Sequence, residues 1–178
     1  MYRFVMMLTY SRIICGPLIY IISIFFEQFF FAFLIFVYAS ITDYFDGLLS
    51  RKYEVSSSLG ALLDPIADKI LLASSLITLI VYSGDIFIGL ISMIILIREF
   101  WVSALREFAS QLGKSSKIKV KFLAKVKTSA QFFSIGCFLL SFAYNNSLGI
   151  FISSFLLFLS MLITIKTALN YTIELFND

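Results

Sequence analysis

Six runs of mainly apolar residues, at 8–26, 29–49, 61–82, 86–108, 122–144 and 148–170, set the limits on what this chain can become. Each has about the 20 residues that a helix needs to cross the hydrocarbon core of a bilayer. The breaks between them are short and polar: Glu27-Gln28, residues 51–58, Ser83-Gly84-Asp85, residues 110–121 and Asn145-Asn146-Ser147. A soluble domain of 178 residues cannot hide a chain that is 60% hydrophobic and carries 21 Phe. The expected fold is an all-α integral membrane protein of six transmembrane helices. One membrane domain is expected to fill residues 1–178, with no internal repeat. The first run resembles a cleaved leader, with Arg3 ahead of an apolar stretch. Yet it contains Arg12, lacks a clear small-residue cleavage site and precedes five further apolar segments, so it reads as a retained helix.

Charge orients the bundle. With six spans, both termini and the second and fourth loops share one side, which carries Arg3, Arg51, Lys52, Lys114, Lys117, Lys119 and Lys121. The three opposite loops hold no Lys or Arg. The positive-inside rule places the basic side, and hence both termini, in the cytoplasm of a bacterial-type inner membrane. The four loop lysines read as topology signals that attract anionic membrane lipid. No nucleic-acid partner is expected.

Against this oily background, four aspartates fall within 26 residues: Asp43, Asp46, Asp64 and Asp68. They lie at the cytoplasmic end of the second span and the start of the third. Ionised groups at such positions are costly and point to function. Spacings of i,i+3 and i,i+4 put each pair on one helix face, so two neighbouring helices can aim four carboxylates into one cavity. Capping and ion pairing with Arg51, Lys52 and Lys69 would use some of that charge, but four acids at one level exceed it. With no comparable cluster of bases beside them, they call for divalent cations. Hard oxygen ligands favour Mg²⁺ or Mn²⁺. The chain has no His, which removes imidazole from both catalysis and metal ligation, and Cys15 and Cys137 read as small apolar residues within spans.

The stretch from Asp43 to Asp68 has the form D-x2-D-G-x2-S-R-x8-G-x3-D-x3-D. It resembles the motif of the CDP-alcohol phosphatidyltransferases, with Ser50 where that family usually has Ala. A second block, with Arg98-Glu99, 103–107 (SALRE), Leu112-Gly113-Lys114 and 125–128 (KVKT), resembles the bacterial CDP-diacylglycerol–glycerol-3-phosphate 3-phosphatidyltransferases. A third element, Leu8-Thr9-x2-Arg12 followed by Pro17, resembles the start of the same enzymes, although Val5-Met6-Met7 replaces their usual Pro-Asn.

The resemblance implies transfer of a phosphatidyl group from CDP-diacylglycerol to glycerol 3-phosphate, releasing CMP. It implies two ions, Mg²⁺ or Mn²⁺, held by Asp43, Asp46, Asp64 and Asp68, with Asp68 also acting as catalytic base. A carboxylate beside two cations is a weak base, and orienting the hydroxyl is the role that fits it. Asp46, Gly47, Ser50, Arg51 and Gly60 would border the CDP-lipid, whose acyl chains stay in the bilayer. Arg98, Arg106, Lys125 and Lys127 would bind the acceptor phosphate, with Lys166 a weaker candidate; salt bridges to Glu99 or Glu107 are the plainer reading of the two arginines. A homodimer is also implied. The aspartate motif reads the donor alone, so inositol phosphate, phosphatidylglycerol or serine remain alternative acceptors. A cation transporter would spread its acids across the bilayer, and these cluster at one side.

Overall fold

The computed structural model describes residues 2–53, 58–113 and 122–177. Within them, it describes all side chains except those of residues 2–5, 44, 46–53, 58, 61 and 122–126. The fold is six helices: α1 (Tyr2–Phe26), α2 (Phe29–Tyr53), α3 (Ser58–Ser83), α4 (Ile86–Gln111), α5 (Phe122–Ala143) and α6 (Ser147–Phe176). Each apolar run expected from the sequence has its own helix, the fifth overrunning α5 by Tyr144 alone, and several helices are longer than their runs. α1 begins six residues before Leu8, and α6 continues through Phe176. Hydropathy marks where a helix can meet lipid, and nothing in the polar flanks breaks the backbone there.

The turns have local causes. α3 stops at Gly84, whose φ of +60° is a conformation glycine adopts without penalty. Asp85 then caps α4 by accepting from the Phe87 amide at 2.7 Å, and Asn146 caps α6 through the Gly149 amide at 3.0 Å. α1 packs on α2 and α3, α5 on α2 and α6, and α4 on α3 and α6. The α1–α3 contact is close at Gly16, where a Cβ would stand 3.1 Å from the Ile70 carbonyl oxygen.

One buried apolar core draws on all six helices, including Ile19, Phe36, Leu76, Ile95, Phe138 and Leu157. At one end Phe29, Tyr82 and Phe142 form a ring cluster, with centroids 4.2–5.4 Å apart. The outer faces are also apolar: Phe25, Ile86 and Phe151 are each more than 70% exposed, as suits residues facing lipid. Among the described residues four helical segments are long and apolar enough to cross a membrane: Met6–Phe26, Leu62–Ser83, Ile86–Gln111 and Ser147–Phe176. Among the described residues of α2 the apolar stretch is Phe29–Asp43. The chain is therefore an all-helical, multi-pass membrane protein.

Candidate active site

At the end of the bundle away from the ring cluster, α1, α2 and α3 bring together one base and three acids. Arg12 donates through one terminal nitrogen to Asp43 and Asp68, both at 2.6 Å, and through the other to Asp64 at 3.3 Å. Thr9, one turn earlier on α1, donates to the same Asp64 oxygen at 2.8 Å. Arg12 is fully buried, whereas the three carboxylates keep 42–49% of their side-chain surface exposed. The acids thus stand between a buried guanidinium and open space. Among the described residues Arg12 makes every ion pair of these three carboxylates, so within that set the acids outnumber their cation by two.

That surplus, on oxygen donors alone, is chemistry that fits a hard divalent cation. Among the described residues no three acidic side chains enclose a single point as ligands, because the guanidinium stands where they converge. The side chains of Asp46, Ser50, Arg51 and Lys125, and the surroundings of Gly47, lie outside the described residues. Gly60 sits in the first turn of α3, partly exposed.

Beside the acids opens a cavity of about 510 Å³. Asp43, Asp68 and Lys69 line one wall, and Arg98, Glu99, Arg106, Lys127 and Gln131 line the others. Three of the four expected phosphate-binding cations, Arg98, Arg106 and Lys127, therefore share a cavity with two of the acids. Their commitments differ. Arg98 is buried and donates to the Thr164 carbonyl at 3.1 Å, the Thr167 hydroxyl at 2.8 Å and Glu99 at 3.0 Å. Lys127, also buried, donates to the same Glu99 oxygen. Arg106 is exposed, with its guanidinium 5.9 Å from the centroid of the Tyr171 ring, a cation–π distance. Lys166 is exposed on α6 and does not line this cavity.

A second, almost wholly apolar groove of about 390 Å³ runs between α2 and α5, from Ile41 and Phe133 to Phe33 and Leu140. Phe132 lines both the groove and the cavity. The one hydroxyl on its α2 side, Ser40, is turned back to the Phe36 carbonyl at 2.8 Å.

Residues 5–166 match the CDP-alcohol phosphatidyltransferase family. The chain belongs to that family. Several curated relatives carry the name CDP-diacylglycerol–glycerol-3-phosphate 3-phosphatidyltransferase. The one from Wigglesworthia glossinidia brevipalpis is 39% identical over 163 residues, covering 87% of this chain and 88% of its own length. The Haemophilus influenzae protein is 37% identical over 138 residues, 78% of this chain and 73% of its own. A Yersinia pestis protein is 34% identical over 145 residues, 82% and 78% respectively.

In this phosphatidyltransferase the sequence marks the acids but not what they touch. Thr9 enters the sequence reading only through the resemblance of the first helix, and Arg12 through that and as a sign that the helix is retained, yet both bond the aspartates directly. An arginine inside a predicted span was the available signal, since such a charge seeks a partner within the bundle. Gln131 carries no role in that reading and lines the cavity; Glu99 enters it only as a possible salt-bridge partner and lines the cavity too.

Proposed function

We infer that this phosphatidyltransferase moves the phosphatidyl group of CDP-diacylglycerol to sn-glycerol 3-phosphate, giving phosphatidylglycerophosphate and CMP in phospholipid biosynthesis. The observation that carries this reading is a single cavity with acids on one wall and cations on the others. One wall suits a metal-bound pyrophosphate, the other an acceptor that is itself a phosphate. The names of the relatives agree with that acceptor.

Asp43, Asp46, Asp64 and Asp68 would hold Mg²⁺ or Mn²⁺, two ions in this reading. When bound, they would offset the charge that develops on the transferred phosphoryl group and on departing CMP. The residues supply the rest. Arg12 draws three of the aspartates toward one point and Thr9 orients Asp64. Asp68, facing the cavity, orients the sn-1 hydroxyl and takes its proton as that oxygen bonds to the β-phosphorus and the bond to CMP breaks. Asp46, Gly47, Ser50, Arg51 and Gly60 would border the CMP moiety. Arg106 and Lys127, with Lys125, would meet the acceptor phosphate, and Arg98 holds their wall to α6. The groove beside Phe132 offers a lateral route by which acyl chains stay in lipid while the headgroup reacts.

In this reading all six helices of a single domain span a bacterial inner membrane. Both termini and the cavity face the cytoplasm, in keeping with the one-sided distribution of Lys and Arg. The protein would act as a homodimer. Purified protein given CDP-diacylglycerol and Mg²⁺ should release CMP on addition of glycerol 3-phosphate. Release supported only by inositol phosphate, phosphatidylglycerol or serine would replace the acceptor.

A further inference from the structure

Gln131 stands on the cavity wall with half of its amide unused. Its side chain is 1% exposed, and its nitrogen donates to the Thr164 hydroxyl at 3.0 Å. Its oxygen, Oε1, has no hydrogen-bond partner among the described residues. Burying such an acceptor without a donor is unfavourable. Among the described residues the buried hydroxyls of Ser23 and Ser92 share this condition, but neither lines the cavity. The Thr164 hydroxyl can accept or donate, so the amide can turn over and still leave one polar end without a protein partner.

The position is informative. Gln131 follows Lys127 by one turn on α5, so the two share a face toward the cavity. Lys127 and Arg106 offer positive charge, and Asp68 offers a carboxylate, on the walls of the same space. Glycerol 3-phosphate carries its attacking hydroxyl and its phosphate at opposite ends, with a C2 hydroxyl between them. A substrate whose phosphate lies toward the cations and whose sn-1 hydroxyl lies toward Asp68 leaves its middle hydroxyl to meet another lining residue. Among the described ones, Gln131 is the one side-chain amide. A neutral amide reads a hydroxyl there without adding charge beside Glu99.

Building on the acceptor reading above, we propose that Gln131 is a specificity-determining residue that accepts a hydrogen bond from the C2 hydroxyl of glycerol 3-phosphate. A site that hydrogen-bonds a substrate hydroxyl discriminates against the analogue lacking it, because its own polar group is then left unpaired.

The test compares CMP release by the full chain with glycerol 3-phosphate and with 3-hydroxypropyl phosphate, which keeps the attacking hydroxyl and the phosphate but lacks the C2 hydroxyl. Wild type should favour glycerol 3-phosphate by about 10- to 100-fold in kcat/KM, the ratio one such bond supplies. In Gln131→Leu the preference should fall to about 3-fold or less, with turnover of 3-hydroxypropyl phosphate retained. Gln131→Met, closer in shape, should behave the same way and covers the case in which the leucine variant fails to fold. Equal use of both acceptors by wild type overturns the proposal. So does a variant that keeps the wild-type preference, or one that loses both activities in parallel. Absence of CMP release by wild type with either acceptor removes the acceptor reading itself, and the proposal with it.

Discussion

The two charged regions of this molecule handle buried charge in opposite ways. Where α1, α2 and α3 meet, Arg12 answers three half-exposed aspartates and leaves their charge in surplus. Where α4, α5 and α6 meet, Arg98 and Lys127 both donate to Glu99, and Thr164 and Thr167 accept two further hydrogen bonds from Arg98. In the proposed mechanism the first region receives positive charge from outside. The second is largely closed on itself and offers a ligand chiefly Arg106, which is exposed. Charged residues in a membrane protein thus need sorting by what already neutralises them, and not by sign alone.

Several substitutions would break or sharpen this contrast. The largest effect is expected at Asp64. Asp64→Asn should lower CMP release by at least about 10³-fold, on the order of 4 kcal/mol of barrier. A melting curve should show the protein still folded, since the carboxylate is in surplus. Arg12→Gln should do the reverse and act mainly on stability. Removing the cation leaves three acids in mutual repulsion, at about 2–3 kcal/mol, below the full cost of breaking a buried ion pair because the acids are half exposed. Mg²⁺ should raise the melting temperature of this variant more than that of wild type. An equal shift in both would mean that metal and guanidinium do not answer the same charge.

Within the cationic region the contrast can be drawn between two arginines. Arg106→Met should raise KM for glycerol 3-phosphate about tenfold, as loss of one charge-assisted contact does, with little change in melting temperature. Arg98→Met should lower the melting temperature more than it affects that KM, because its donors are held by Thr164, Thr167 and Glu99. Reversed outcomes would exchange their roles. The smallest effect is expected at Lys166, exposed and away from the cavity, where Lys166→Met should leave turnover within about twofold of wild type.

What could be read in advance follows from the range of each interaction. Helices and their order were legible because hydropathy over about 20 residues is a local signal. The aspartate pairs were legible because i,i+3 and i,i+4 spacing fixes a face. Which face meets which helix is not local. The Arg12–Asp43 and Arg12–Asp68 contacts join residues 31 and 56 apart, and the Arg98–Thr167 contact spans 69. Periodicity alone therefore could not separate Arg98, held within the bundle, from Arg106 at the cavity mouth. The salt bridge to Glu99, the plainer of the two sequence readings, is what Arg98 makes; Arg106 instead lies beside Tyr171.

In the proposed mechanism the surplus acids take a divalent cation that makes phosphatidyl transfer possible. Transfer of radiolabel from glycerol 3-phosphate into lipid, with CDP-diacylglycerol as donor, tests it directly in protein stripped with EDTA and titrated with Mg²⁺. Wild type should be silent without the ion and recover as it is added, while Asp64→Asn stays silent throughout. Label transfer that persists in EDTA, or that survives in Asp64→Asn, would contradict the account.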